Sequence, residues 1–242
     1  MTLTEIVKRD EYLWAELRLW SEMYYDAQKV RVGMGNRKTS KTVDPDLIQL
    51  AIAPVKQSEE ILQKHMTKCY KRVVPKGIQK WQKEAPGMGE VLLPRFLGHL
   101  GHPRIAVPKY WVPGPKGGDK RVLVEGEPYL RSVGQLWQYC GHGEVIKRRK
   151  GMTQEEVLDA GNPTLKMLVH LMAESAMKQK GGKYREIYMK DRESRGDVYD
   201  PTVKDKEERW SKGDLPKAHS NNRALRLVGK EILKDLWIVS EV

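Results

Sequence analysis

Cysteine is scarce: the chain holds two, Cys69 and Cys140, far apart in sequence. Two isolated thiols build neither a disulfide framework nor a four-ligand zinc site, which fits a reducing compartment. Long apolar runs are missing too. Nothing approaches the ~20 residues needed to span a bilayer, and the N-terminus has no signal-peptide core, so a cytoplasmic protein without a membrane partner is expected. No Walker loop, Rossmann fingerprint or Ser-His-Asp order is found, so no cofactor is expected. Phenylalanine occurs once, against seven tryptophans and ten tyrosines. Those rings can fill a core while their polar edges meet water or sugar-phosphate. Acid is the minority charge: 44 Lys and Arg stand against 32 Asp and Glu, a net +12. That excess favours a polyanionic partner and says nothing of the fold. With 242 residues, one large domain or two small ones can form a core.

Residues 4–31 have the period of an amphipathic helix, with Leu13, Leu17, Trp20, Tyr24 and Ala27 at three- and four-residue steps. The glycine-containing basic stretch 33–41 predicts a mobile loop. Asp44-Pro45 is a helix start, an acid cap followed by proline at the first helical position. The next helix carries Ala51, Val55, Ser58, Leu62, Met66 and Cys69 on one face, and Pro54 either kinks it or marks a second start. Two such helices predict a helical hairpin or coiled-coil arm over residues 1–75, which leaves a homodimer through these helices open.

Beyond Pro75 a short helix, 78–84, leads to Pro86-Gly87-Met88-Gly89, and a second helix is expected from Glu90 to Leu100. Pro94 sits awkwardly in that second helix, which must start late or irregularly. Alternation on both sides of a Gly/Pro loop predicts a β-hairpin inserted over 104–130, presenting Lys109, Tyr110, Trp111, Lys116, Lys120 and Arg121. Further helices are expected at 132–139, after Asn162-Pro163 with Leu165, Leu168, Leu171, Met172 and Ser175 inward, and at 219–239. The charged stretch 178–217 exceeds ordinary loop length and predicts a partly disordered or functional arm. The expected fold is thus mainly α: an arm over 1–75, then a helix-hairpin-helix-containing helical domain over 76–242.

The pattern Pro-Gly-x-Gly between two short helices carries chemistry. Glycine permits positive φ and lets backbone approach a phosphate, while free N–H groups at the next helix start point at the same oxygen. Gly87, Met88 and Gly89 are therefore candidate DNA-binding residues; the alternative is an ordinary turn. Lys147, Arg148, Arg149 and Lys150 form a four-cation run, and Arg223, Arg226, Lys230 and Lys234 recur along the last helix. Both can hold phosphates, and both can equally be solvated surface. His99 and His102 fall at a helix end with no acidic partner in reach of the sequence pattern, and Asp191, Glu193, Asp197 and Asp200 lie among cations as in a solvated segment. No metal site and no catalytic residue are expected.

From the glycine turn onward the chain resembles the C-terminal domain of DEDD-type insertion-sequence transposases, the family guided by a bridge RNA. The matching blocks follow the family's order over residues 80–238. They are Pro86-Gly87-Met88-Gly89, Leu97-Gly98-His99-Leu100-Gly101, the block from Ser132 to Gly141, that from Gly161 to Lys166, Tyr184 with Tyr188, and the block from Ala218 to Arg226. The helices before residue 75 are similar to the family's coiled-coil arm. Two departures shape what the resemblance implies. No RuvC-like domain with its four acidic ligands is present, and Lys150-Gly151 stands where the family has its nucleophilic serine before a glycine; Thr153 is the nearest hydroxyl. The implied function is a non-catalytic, largely sequence-independent protein that binds duplex or branched DNA, cytoplasmic and nucleoid-associated. A recombinase subunit served by a nuclease domain in trans, and a scaffold for structured RNA or a protein partner, are the alternatives.

Overall fold

A computed structural model describes residues 2–37, 44–114, 121–144, 150–203, 209–211 and 213–241. The fold is mainly α, with two small two-stranded sheets among the described residues. The chain divides into two units, residues 1–75 with 90–102, and residues 76–89 with 103–242. The single boundary expected after residue 75 is thereby corrected: residues 90–102 pack with the first unit, because their apolar side chains find their partners there.

In the first unit α1 (Leu3–Arg37) and α2 (Pro45–Val73) pack on each other as an antiparallel hairpin. Asp44 caps α2 by accepting from the Asp46 amide, and Pro54 lies inside the helix without ending it. Helix α1 runs through Gly33 and Gly35, where a loop was expected. Each glycine costs about 1 kcal/mol in a helix interior, so tertiary ties must compensate. One tie lies in the turn before them, where Arg31 meets the buried Glu59 of α2 at 2.6 Å. Further along, Trp20 stacks on His65 at 4.7 Å and Arg72 pairs with Glu16. Leu17, Tyr24, Met66 and Cys69 are buried between the helices, whereas Ala51 and Ser58 face solvent and Ile48 and Ile52 take the inner face instead.

Helix α3 (Lys76–Glu84) belongs to the second unit, and α4 (Leu92–Leu100) to the first. Because α4 starts at Leu92, Pro94 falls in its first turn, where a missing N–H costs nothing. Leu93, Phe96 and Leu97 are fully buried. At Gly98 an added Cβ would lie 2.8 Å from Arg18 Cα, so glycine lets α4 cross α1 at close range. Glu22 accepts from Arg95 at 2.8 Å and meets His99 Nε2 at 2.7 Å, while Arg95 lies over the Tyr25 ring at 3.6 Å. His99 thus has the acidic partner that its sequence neighbours did not supply.

The second unit begins with α3 and continues through β1 (Ile105–Ala106), β2 (Lys109–Pro113), β3 (Arg121–Glu125) and β4 (Tyr129–Leu130). Strands β2 and β3 pair antiparallel, with Trp111 opposite Leu123, and β1 pairs with β4. Lys116 and Lys120 lie outside the described residues. Then come α5 (Val133–Tyr139), α6 (Gln154–Asp159), α7 (Pro163–Lys178), α8 (Lys183–Glu193) and α9 (Lys217–Val239). Ser132 and Gln135 form a capping box on α5, and the Asn162 side chain accepts from the Thr164 and Leu165 amides to start α7. The core is the inner face of α9, where Ala224, Leu225, Val228, Ile232 and Leu236 pack with Leu165, Leu168, Val169 and Met172 of α7. Leu171 is exposed, one step outside that face.

Most of the supposed arm over 178–217 is structured. Arg192 binds Asp197 at 2.7 Å, with side chains 4% and 0% exposed, and donates to the Tyr188 hydroxyl at 2.9 Å. Ser220 donates to Asp197, and Arg192 lies over the Trp210 ring at 3.9 Å. Burial tends to raise the Asp197 pKa, but its bonds from Ser220, Arg192 and the Gly213 amide outweigh that and hold it below the ordinary carboxylate range. A segment read as solvated by its charge is held by a buried ion pair.

Candidate nucleic-acid interface

The glycine turn faces protein. Gly87 adopts φ 82°, and a Cβ there would lie 2.5 Å from both Cα and N of Ala176 in α7. Met88 is buried at 5% exposure. Only Gly89 opens outward; its carbonyl accepts from Gln82 Nε2 at 3.2 Å. Helix α3 packs on α9, whereas α4 packs on α1 and α2. The two helices flanking the turn are therefore built into different units, and the helix-hairpin-helix reading is corrected. The close approach that glycine permits is to the backbone of α7, where a phosphate was expected.

A second expected element lies on α9. Arg226 Nη2 donates to the carbonyl of Gly143 and, at 3.4 Å, to that of His142. One turn on, Lys230 Nζ lies 4.8 Å from the centre of the Trp137 ring, whose indole N–H donates to the Lys230 carbonyl at 3.0 Å. Lys166 of α7 lies against Gly141, which has φ 70°. Among these cations sits His142, 5% exposed, its Nδ1 2.9 Å from the Cys140 carbonyl and its ring against Gly229. Burial pushes the His142 pKa down to about 4; the charges of Arg226, Lys166 and Lys230 act in the same direction, against the bond to Cys140. The charges of Arg226, Lys166 and Lys230 thus all disfavour a proton on the His142 ring. Arg223 is more open, 58% exposed and 3.9 Å from Asp191.

Of the basic run, Lys147, Arg148 and Arg149 lie outside the described residues, and Lys150 is exposed in a turn. In sequence the run begins at Lys147, four residues after Gly143, whose carbonyl Arg226 holds. Thr153, the nearest hydroxyl, caps α6: its Oγ1 accepts from the Glu156 amide, and Glu156 accepts from the Thr153 amide. The Thr-x-x-Glu spacing is the signal that could have shown this.

Lys230 also lines an open groove of roughly 590 Å³, whose apolar surface includes Trp137, Trp237, Leu227 and Ile238 and which carries Lys234 as well. The Trp237 indole N–H donates to the Arg131 carbonyl at 2.9 Å, and Arg104 lies over its ring at 4.3 Å. Sequence reading missed Lys166, His142 and this groove, because residues about 90 positions apart in sequence build it.

Among the described residues no group of three or more His, Cys, Asp or Glu is placed to hold a metal ion, and no helix is long and apolar enough to cross a membrane. No family model, curated protein or solved structure matches the chain.

Proposed function

We propose that this chain is a non-catalytic DNA-binding protein of transposase C-terminal descent, holding phosphates on the cationic surface around His142. The observation that carries the reading is the convergence of Arg226, Lys230 and Lys166 on one neutral histidine; the sequence adds the four-cation run Lys147, Arg148, Arg149 and Lys150. Most of the net charge of +12 falls on this second unit. Such a surface binds backbone without reading bases. The family descent rests on the order of the sequence blocks, and the loss of strand transfer on Lys150-Gly151 at the serine position. Gly87 and Met88 support the scaffold in this reading.

The protein acts as a homodimer through its N-terminal hairpin. Tyr12, Leu19, Met23 and Val30 of α1 are exposed at steps of seven, four and seven residues, and Leu47, Leu50 and Ile61 of α2 are exposed at steps of three and eleven. On α1 this stripe lies away from Arg18, Glu22 and Tyr25, the side that meets α4. Together the seven side chains expose on the order of 800 Å², about what one partner contributes to a standard interface.

The test is duplex affinity by fluorescence anisotropy across a salt series. Arg226→Gln with Lys166→Gln should lower the salt slope by up to ~2, and alanine at Lys147, Arg148, Arg149 and Lys150 together by up to ~4. Absence of duplex binding at low salt, or a slope that neither set alters, would sink the proposal.

A further inference from the structure

The groove beside Lys230 has a composition that duplex binding leaves unused. An intact duplex offers it only phosphates and buried base edges, whereas most of its lining is apolar, the two indole rings with Leu227, Ile238, Val133 and Ile187. Both indole N–H groups are already spent on backbone carbonyls, those of Lys230 and Arg131, so the rings are fixed and their remaining exposed surface is apolar. We infer that this groove seats an unpaired nucleobase, so that the protein prefers DNA carrying a bulge, flap or single-stranded junction to uninterrupted duplex. The inference rests on the DNA-binding reading and specifies the structure preferred.

Three features favour a nucleotide over an acidic peptide helix. First, Arg226, Lys230 and Lys234 recur every fourth residue on α9, about 6 Å apart along the axis. A strand whose phosphates follow that ridge is carried from the His142 cluster directly past the groove. Second, the one acid among the lining residues is neutralised: Glu231 is held by Lys183 at 2.7 Å and Lys234 at 3.5 Å, so it does not repel a phosphate. Third, the volume is that of a small-molecule site, fit for one or two bases and small for a helix about 10 Å across. Stacking of a base on an aromatic ring tolerates any sequence, which agrees with binding that ignores base identity.

The experiment compares one duplex with the same duplex carrying a single bulged 2-aminopurine, a fluorescent adenine analogue. The bulged form should bind about tenfold more tightly, the low end of what one stacked base contributes, and its emission should fall on binding. Leu227→Asn with Ile238→Asn should abolish both the preference and the emission change while leaving duplex affinity within twofold. Both positions are partly exposed, 38% and 51%, so circular dichroism should show an unaltered helical content. Equal affinity for the two DNAs with constant emission overturns the inference and leaves the DNA-binding reading standing. A preference that survives the double variant moves the base elsewhere and overturns it too. If neither DNA binds, both readings fall. Tryptophan emission that responds to an acidic amphipathic peptide and not to the bulge would give the groove to a protein partner.

Discussion

Gly87 and Ala176 meet so closely that a side-chain carbon on Gly87 would lie 2.5 Å from the Ala176 Cα, and Gly87 holds φ 82° besides. Alanine there combines a left-handed backbone with an overlap against a helix that cannot retreat. Gly87→Ala should therefore destabilise the protein by about 3 kcal/mol in urea denaturation. Gly89→Ala, with open space around it, should change stability by less than about 0.5 kcal/mol. A Gly87→Ala protein of native stability that had lost DNA affinity would return the turn to the binding surface.

His142 should make stability depend on pH in a defined window. Its folded pKa, about 4, lies below its unfolded value of about 6.5, so between these values the unfolded chain binds more protons. The stabilising contribution is complete above about pH 6.5 and is lost as pH falls toward 4, by up to about 3 kcal/mol. His142→Gln should flatten the pH dependence of urea midpoints across that window. A slope that persists unchanged in the variant would assign the effect to other groups.

The elements legible in the sequence were those whose signals are local. Asp44-Pro45, Ser132 and Asn162-Pro163 each mark a helix start, and the chain uses each of them to begin α2, α5 and α7. The Gly/Pro loop likewise marks the β2–β3 hairpin. What failed was tertiary. Pro-Gly-x-Gly reads the same whether the bend meets a phosphate or the α7 backbone, and only Ala176, far along the chain, decides. Gly33 and Gly35 signal a loop until Arg31 is seen to be tied to Glu59. The charge of residues 190–200 signals solvent until Arg192 and Asp197 are found buried together, with Arg192 over the Trp210 ring. Of the site, Arg226 and Lys230 could be named from their spacing, whereas Lys166 and His142 join them only through packing of α7 on α9.

That buried pair is itself testable. Asp197→Asn leaves the Arg192 charge uncompensated at 3% exposure and weakens the anchor for Ser220 and the Gly213 amide. The loss should be about 3–5 kcal/mol in urea denaturation, and most of it should return when both partners are made apolar, as in Arg192→Met with Asp197→Leu. A loss below about 1 kcal/mol in the single variant would mean that water reaches the pair and that its burial does not govern this segment.

The exposed stripe on the N-terminal hairpin offers the last separation between scaffold and interface. Leu19 and Leu50 are 55% and 73% exposed, so a charge at either position costs the isolated chain little. In a dimer that seats them against a second hairpin, the same charge is buried without a partner and is strongly unfavourable. Leu19→Glu with Leu50→Glu should therefore leave helical content and melting at high dilution unaltered, while weakening self-association more than tenfold in sedimentation equilibrium. DNA binding should respond in step. A dimer doubles the number of phosphates engaged, so the monomeric variant should show about half the salt slope of the parent on a long duplex. A parent that sediments as a monomer at micromolar concentration would remove the hairpin from the assembly, and the stripe would then await another occupant.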